Sequence, residues 1–315
     1  MTETTIRVGT RASALALAQA GLIAEAIRTK FGVAAELVPI TSEGDRNKAS
    51  LSTLGGTGIF ANALREALLA DQCDLLVHSF KDLPTVPYEQ LRVGAVPHRA
   101  DARDTLCARE GWTTKTLPEH ARVGTGSPRR VAQLKALRPD LEVVDLRGNV
   151  DTRLGRVNAD DLDAVVLAAA GLTRLGRLDA VTEFLELSAW PTAPGQGALA
   201  LEVRGTADPV LDRILAGLGH LASQLTALAE RAVLARLEAG CSAPIGASSV
   251  VDGELLLLTA TVHRPDGTER VTSSHALVLE GSTADRVRQA EDLGIRVGDE
   301  LLRLGAAGLA ELGTP

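Results

Sequence analysis

The sequence predicts an α/β fold with two similar lobes, followed by a small α+β domain, and three observations support this. Apolar runs of strand character alternate with helical patterns over the first two thirds of the chain, which is typical of parallel sheets covered by helices. The tetrapeptide RVGT at residues 7–10 recurs at residues 122–125, followed by the same order of elements. After residue 220 the pattern changes to one long helix, two strands and a last helix.

The first lobe begins with alternating strands and helices. The expected elements are strands at 6–9, 36–40 and 74–78, and helices at 13–31 and 60–70. The second lobe repeats this order, with strands expected at 141–145 and 164–168, and its DAVV at 163–166 echoes DLLV at 74–77. Ligands of open α/β sheets bind beyond the carboxyl ends of the strands. We therefore expect the two lobes to face each other across a cleft.

The strand expected at 198–203 would return the chain to the first lobe. A helix at 221–238, strands at 254–262 and 274–279, and a helix at 284–304 would form the C-terminal domain. The predicted domains are therefore residues 1–97 with 198–217, residues 98–197, and residues 218–315.

Composition excludes several classes of protein. The chain has 315 residues and a net charge of −7, with only 2% aromatic residues, which argues against binding to nucleic acid. The three cysteines are far apart and no CxxC or HExxH motif occurs, so we expect neither a disulfide framework nor a metal site. No export signal and no apolar stretch of 18 residues is visible. We expect a cytoplasmic protein without a membrane span.

Arginine accounts for 28 of the 33 basic residues, so the positions of the arginines are informative. In the turn TGSPRR, Ser127 suits a helix N-cap and Pro128 the first helical position. The free N–H groups of that helix would attract an anion, and Arg129 and Arg130 stand beside it. An ordinary capped helix with solvated arginines is the alternative interpretation.

Three further arginines lie in the same lobe: Arg147 and Arg174 follow predicted strands, and Arg153 lies shortly after Arg147. Guanidinium groups collected at strand ends suggest a pocket for a ligand that carries several carboxylates or phosphates. The alternative is that they form surface ion pairs with nearby acidic residues. The candidates for such pairing are Asp140, Glu142, Asp145 and Asp151.

In the first lobe, the segment HSFKD at 78–82 follows an apolar strand, where catalytic loops are commonly found. Asp82 could stabilise a cation or move a proton, or it could only pair with Lys81 and shape a turn. The glycine-rich stretch at 54–60 lacks a P-loop or dinucleotide pattern, which leaves a lid or a plain loop.

The cysteines differ in their surroundings. Cys73 and Cys107 lie in apolar or strand-like segments, where we expect buried and inert thiols. Cys241 follows a predicted helix stop at Gly240, which would place its thiol on an irregular and accessible segment. The negative end of that helix would oppose a thiolate, so positive groups from another domain would have to activate it.

Together these segments resemble the hydroxymethylbilane synthase family, also called porphobilinogen deaminases. The matching motifs are TRASALA (10–16), VHSFKDLP (77–84), GTGSPRR (124–130), LRGNVDTRL (146–154), AGLTRLG (170–176), GQGA (195–198), ER (230–231) and GCSAPIG (240–246). Their ordered set spans nearly the whole chain and is far more specific than any one motif. In many relatives lysines flank the Gly-Gly pair of the glycine-rich loop, whereas this chain has Thr53 and Thr57.

The resemblance implies an enzyme that joins four porphobilinogen molecules head to tail with release of ammonia. Hydrolysis then frees a linear tetrapyrrole, hydroxymethylbilane. It further implies three α/β domains, the first two resembling two-lobed periplasmic binding proteins, and a dipyrromethane cofactor held by a thioether. Small-molecule substrate, no membrane and a monomeric state complete the expectation.

Residue roles follow from the same resemblance. Asp82 matches the catalytic carboxylate, which would stabilise the electron-poor cation left by loss of ammonia and move protons. The residues expected to bind the cofactor are Cys241 (covalently), Ser13, Ser79, Lys81, Asp82, Thr125, Ser127, Arg129, Arg130, Arg147 and Gln196. Those expected to bind substrate are Arg11, Arg147, Arg153 and Arg174. The alternatives are a non-catalytic anion-binding protein on the same scaffold and an inactive homologue.

Overall fold

The computed structural model describes residues 5–40, 59–159, 161–206, 208–239 and 243–312. The chain forms two compact units, Met1–Arg99 with Ala198–Gln224 and Ala100–Gly197 with Leu225–Pro315. The predicted boundaries of three domains, and the cleft between two lobes, stay predictions.

The first unit is built on a five-stranded sheet, here called the first sheet, with strand order β2–β1–β3–β10–β4. Its strands are β1 (Thr5–Arg11), β2 (Ala34–Ile40), β3 (Leu75–Ser79), β4 (Leu91–Ala95) and β10 (Leu199–Arg204). Its helices are α1 (Ala14–Phe31), α2 (Ile59–Leu69) and α6 (Pro209–Leu218). Strands β1, β2 and β3 are parallel, and β10 is antiparallel to both of its neighbours. An aliphatic core between the sheet, α1 and α6 includes Ile27, Leu201 and Ile214.

The second unit contains a sheet of the same topology, here called the second sheet, with order β7–β6–β8–β5–β9. Its strands are β5 (Asp104–Ala108), β6 (Arg122–Gly124), β7 (Glu142–Val144), β8 (Ala164–Ala168) and β9 (Glu183–Leu185). Helices α3 (Pro128–Leu137), α4 (Val150–Asn158) and α5 (Ala169–Arg174) follow β6, β7 and β8. Strand β5 is antiparallel to its neighbours and is the counterpart of β10.

The remainder of the second unit is an antiparallel meander with two helices. Its strands are β11 (Ile245–Asp252), β12 (Leu255–His263) and β13 (Arg270–Val278), and its helices are α7 (Leu221–Arg236) and α8 (Thr283–Arg303). Helix α8 packs on β12 and β13 through a stripe of buried residues that includes Leu293, Val297 and Leu301. A capping box at Ser282 begins this helix.

The internal repeat predicted from the sequence reappears as matching hydrogen bonds. The backbone N–H of Arg7 donates to Asp74 Oδ2 at 2.7 Å, and that of Arg122 donates to Asp163 Oδ2 at the same distance. In return, the N–H of each aspartate donates to the carbonyl of its arginine at 2.9 Å. The strand pair β1 and β3 and the strand pair β6 and β8 therefore share the same arginine–aspartate contacts, and the prediction of two similar α/β lobes is confirmed.

Most predicted elements lie within four residues of the observed ones, and the strand at 198–203 does return the chain to the first sheet. Strands β4, β5, β9 and β11 were not expected. The glycine-rich stretch at 54–58 lies outside the described residues. In the described ranges, no helix is both long and apolar enough to cross a membrane.

Candidate functional site

Helices α3 and α4 both begin at the carboxyl edge of the second sheet, the edge at which its parallel strands end. Helix α3 starts at Pro128 with Ser127 as N-cap, as predicted, although the serine side chain makes no capping bond. Helix α4 starts after Asn149, whose side chain accepts from the N–H of Thr152 at 2.8 Å. Unpaired N–H groups and aligned peptide dipoles make such helix starts favourable for anions.

The turns that lead into these helices touch each other. The N–H of Thr125 donates to the carbonyl of Val144 at 3.0 Å, and Thr125 is buried. A Cβ atom on Gly126 would lie 2.6 Å from the carbonyl oxygen of Leu146, so only glycine permits this approach. The two helix starts are therefore fixed side by side.

Behind the turns, one buried carboxylate holds two arginines. Asp104, fully inaccessible to solvent, opens β5 and accepts from Arg129 Nη2 at 2.8 Å and from Arg130 Nη2 at 2.6 Å. Trp190 Nε1 and Gln196 Nε2 also donate to it, at 2.9 and 2.8 Å. Burial by itself would raise the pKa of Asp104, but the charges of Arg129 and Arg130 outweigh it and hold that pKa well below its usual range.

Sequence reasoning missed Asp104, because the strand that carries it was not predicted. The acidic residues considered as ion-pair partners lie elsewhere: Asp140 pairs with Arg138, Asp151 with Arg177, and Glu142 lies 3.5 Å from Arg122. Among those four, only Asp145 contacts an arginine of the predicted group, lying 3.4 Å from Nε of the exposed Arg147.

Arg153 and Arg174 are half-buried and, among the described residues, form no ion pair. Arg153 Nε donates to the carbonyl of Gly148 at 2.8 Å, and Arg174 Nη2 donates to the carbonyl of Gly197 at 2.7 Å. Burial lowers the pKa of Arg174 to about 10. Burial and the nearby charge of Arg130 lower the pKa of Arg153, against the opposing effect of Asp145. An added carboxylate would offset both penalties.

The GQG segment links this edge to helix α7. Gln196 is buried and, besides contacting Asp104, donates to the carbonyl of Ala102 at 2.8 Å. The N–H of Gly195 donates to the buried carboxylate of Glu230 at 2.8 Å. A Cβ atom on Gly197, where φ is +86°, would lie 2.5 Å from the carbonyl oxygen of Ala100. The segment is therefore fixed from three sides.

In the first unit, the predicted residues share the carboxyl edge of the first sheet. Arg11 ends β1, and Ser13 is the N-cap of α1, accepting from the N–H of Ala16 at 3.4 Å. Ser79 ends the neighbouring strand β3, and Gln19 Nε2 lies 2.9 Å from its Oγ. Helix α1 therefore holds the end of β3 in place.

Beyond Ser79 the chain forms a short 3-10 turn, Phe80–Asp82, anchored at both ends. Phe80 is buried, and its N–H donates to the carbonyl of Ala198 at 3.0 Å. Leu83 is also buried. Between these anchors Lys81 is half-buried and Asp82 is exposed. The fold therefore presents one carboxylate from a rigid turn, which suits a catalytic group.

Two of the three cysteines lie in the surroundings that the sequence predicts, and the third lies outside the described residues. Cys73 and Cys107 are buried free thiols, and burial raises the pKa of each to about 11. Cys241, Thr53 and Thr57 lie outside the described residues, so their predicted roles stay predictions. In the described ranges, no three His, Cys, Asp or Glu side chains group as metal ligands would.

The residues at the edge of the second sheet fit a ligand that carries carboxylates. Five guanidinium groups gather there against two carboxylates, and two helix starts add partial positive charge. The guanidinium groups are Arg129, Arg130, Arg147, Arg153 and Arg174, and the carboxylates are Asp104 and Asp145. A dipyrromethane, whose pyrrole rings bear acetate and propionate groups, matches this charge.

Solved structures with weakly similar chain paths include a periplasmic substrate-binding protein and a methionine-binding protein. A periplasmic substrate-binding protein of an ABC transporter from Coxiella burnetii aligns with a TM-score of 0.43 at 13% identity, covering 68% of this chain and 91% of that one. The methionine-binding protein MetQ aligns with a TM-score of 0.42 at 11% identity, covering 67% of this chain and 88% of that one. TM-scores of this size establish neither a shared fold nor a shared ligand.

Sequence comparison is far more specific. Residues 6–212 match the family model described as porphobilinogen deaminase, dipyromethane cofactor binding domain, and residues 224–303 match the model of the C-terminal domain. The porphobilinogen deaminase of Leifsonia xyli is 59% identical over 98% of this chain and 94% of its own length. That of Cutibacterium acnes is 50% identical over 98% of this chain and 97% of its own length. The chain belongs to the porphobilinogen deaminase family.

Proposed function

We propose that this chain is an active hydroxymethylbilane synthase, a transferase that joins four porphobilinogen molecules head to tail. The carrying observation is the pair of half-buried guanidinium groups, Arg153 and Arg174, that form no ion pair among the described residues. Partly buried cations without an ion-pair partner cost free energy unless a ligand supplies the opposite charge. Porphobilinogen carries one acetate and one propionate group, so a growing chain accumulates the charge that this edge needs.

The chain's own residues divide the work. Guanidinium groups and helix starts of the second sheet would bind the carboxylates and fix the position of the pyrrole rings. Arg11, Ser13, Ser79 and Lys81 would contribute from the carboxyl edge of the first sheet. Asp82, on its rigid turn, would stabilise the cation that loss of ammonia leaves on the substrate, and would move protons at the pyrrole nitrogens.

The same residues fit a dipyrromethane bound through the thiol of Cys241. When bound, this group would supply the free pyrrole position onto which the first substrate molecule is joined. The chain's part is to hold it: Thr125, Ser127, Arg129, Arg130, Arg147 and Gln196 would surround its carboxylates.

Intact-protein mass spectrometry of the purified chain tests this proposal. We expect an added mass equal to two pyrrole units in the wild type, and none in Cys241→Ala. Cys73→Ala is the matched control, because Cys73 is a buried thiol with a raised pKa, and it should keep the added mass. Turnover of porphobilinogen by the wild type, measured alongside, is expected only from protein with the added mass.

Two other outcomes would overturn the proposal. Protein without added mass that binds pyrrole carboxylates but releases no ammonia would be a non-catalytic anion-binding protein. Protein that carries the added mass without turnover would be an inactive homologue, in which Thr53 and Thr57 are the first residues to restore to lysine.

We also propose that the enzyme is a cytoplasmic monomer; sedimentation at micromolar concentration would reveal any dimer.

A further inference from the structure

The carboxylate of Asp104 accepts hydrogen bonds from several separate segments of the second unit. Its two oxygens each accept two donors: Oδ2 from Arg129 and Trp190, and Oδ1 from Arg130 and Gln196. The donors come from the start of α3, from the segment after β9, and from the GQG segment. One carboxylate thus fixes three pieces of chain that meet at the carboxyl edge of the second sheet.

The position of Asp104 within its strand matters as much as its partners. Asp104 is the first residue of β5 and pairs with Ala168, the last residue of β8. Since β5 runs antiparallel, its beginning lies at the edge where the parallel strands end. Asp104 therefore lies directly behind the helix start that carries Ser127, and not in the middle of the sheet.

Apart from Asp104, the two arginines donate only to uncharged acceptors among the described residues. Arg130 is held besides by the carbonyl of Val166 at 2.9 Å, and Arg129 by Gln133 Oε1 at 2.6 Å and the carbonyl of Pro191 at 3.2 Å. Among the described residues, the buried Nε atoms of both arginines have no hydrogen-bond partner. No second carboxylate pairs with either side chain in the described ranges. The two arginines and Asp104 together therefore carry one net positive charge. Asp104 is the one carboxylate that holds both guanidinium groups among the described residues.

We propose that Asp104 is a positioning residue of the reaction: it orients Arg129 and Arg130 toward the pyrrole carboxylates and leaves them with one net positive charge. This role rests on the proposed function, because it requires the arginine pair to face the cofactor or the growing chain. Asp104 touches neither substrate nor cofactor and acts through the two guanidinium groups. Its loss should therefore weaken binding far more than the chemical step.

The test compares Asp104→Asn with Glu202→Gln in the full-length chain. Asparagine has the shape of aspartate but only one acceptor oxygen, so its NH2 group faces an arginine donor. Glu202 is the matched control: it is equally buried, pairs with Arg65, and lies in the middle of the first sheet. The measurements are the fraction with cofactor mass, the KM and kcat for porphobilinogen of the loaded fraction, and the melting temperature.

We expect Asp104→Asn to lower the loaded fraction and to raise KM about 10- to 100-fold, as expected for loss of a charged hydrogen bond. The kcat of its loaded fraction should change less than KM does. Glu202→Gln should lower the melting temperature with wild-type KM and loading. A purely structural Asp104 would reproduce the Glu202→Gln profile, and that result would overturn the proposal.

Trp190→Phe decides the matter if Asp104→Asn fails to fold. It removes one donor to Asp104 and keeps most of the buried ring, so KM should rise about three- to tenfold with loading retained. A wild-type KM in Trp190→Phe would overturn the positioning role. An unloaded and inactive wild type would overturn the proposed function as well, whereas a loaded wild type with an unaffected Asp104→Asn would overturn only the role of Asp104.

Discussion

Each of the two five-stranded sheets buries one carboxylate on its antiparallel fourth strand, and each carboxylate is neutralised by arginine from a helix. In the first sheet, Glu202 of β10 accepts from Arg65 Nη2 at 2.7 Å and lies 3.2 Å from His78 Nε2. In the second sheet, Asp104 of β5 accepts from Arg129 and Arg130. Burial by itself would raise the pKa of Glu202, but His78 and Arg65 lower it below its usual value.

The two carboxylates differ in their position along the strand. Asp104 pairs with the last residue of β8, whereas Glu202 pairs with Leu76, three residues before the end of β3. At about 3.3 Å per residue, Glu202 lies about 10 Å behind the edge that carries Ser79. We therefore expect the buried ion pair at the carboxyl edge to support the proposed site, and the deeper ion pair to support only the fold.

The largest effect should come from the exposed carboxylate at the edge of the first sheet. Asp82→Asn removes the charge and the proton acceptor but keeps the shape, so turnover of porphobilinogen should fall about 10²- to 10⁴-fold. The melting temperature should not change, because Asp82 is exposed. Steady-state ammonia release and thermal unfolding measure the two quantities. Asp252→Asn, at the exposed end of β11, is the control; equal turnover in both variants would remove Asp82 from the mechanism.

Breaking the deeper ion pair should give the opposite profile. Glu202→Gln leaves Arg65 without its charge partner inside the protein, which typically costs about 3–5 kcal/mol of unfolding free energy. Turnover by the folded fraction should stay within about twofold of the wild type, since Glu202 lies behind the site. Urea unfolding and assays well below the midpoint measure both. Turnover lost in proportion to stability at Asp104 and Glu202 alike would erase the distinction between edge and interior.

The sequence predicted the parts of this arrangement that repeat or that follow strong patterns. The RVGT repeat and the Ser127–Pro128 helix start were visible because they depend on local backbone preference and spacing. The place of Arg147, three residues after β7, followed from the order of strand and turn. These features need only neighbouring residues to specify them.

The buried partners could not be predicted in the same way. Asp104 is the first residue of β5, a strand of five residues. Its counterpart in the first sheet, β10, comes after the whole second sheet in the sequence, so the internal repeat does not reveal β5. An aspartate before a short apolar run resembles an ordinary turn residue, and nothing local indicates that two arginines 25 and 26 residues later will meet it. Only the topology of the sheet, in which β5 runs beside β8, brings these residues together.

His263 differs from Asp104 and Glu202, because it is a buried titratable group that pairs with no opposite charge among the described residues. Both of its ring nitrogens are buried and have no hydrogen-bond partner among the described residues, and it is 2% exposed. Burial, together with the charges of Arg270 and Arg129, lowers its pKa from 6.5 to about 4. The folded state therefore resists protonation that the unfolded state accepts.

Stability linked to His263 is fully present above about pH 6.5 and is lost as the pH falls from 6.5 to 4. The loss should reach about 3 kcal/mol of unfolding free energy, since each pKa unit is worth about 1.4 kcal/mol. Because carboxylates also titrate at low pH, the quantity to measure is the difference between wild type and His263→Phe across this range. If the stability difference between wild type and His263→Phe does not vary with pH, the folded state accommodates the protonated imidazole and the pKa of His263 is not lowered.

The smallest effect concerns Arg174, whose guanidinium group forms no ion pair with any residue that the structure describes. Arg174→Met replaces the aliphatic stem of the side chain but removes the guanidinium group and its charge, so KM for porphobilinogen should rise about tenfold. Stability should stay the same or increase, because burial already lowers the pKa of Arg174 to about 10. Arg138→Met is the matched control, since Arg138 pairs with Asp140 and donates to the carbonyls of Thr114 and Leu117. We expect that variant to lose stability and keep its KM; a stability loss in Arg174→Met with unchanged KM would mean that the second sheet needs this arginine for folding and not for its ligand.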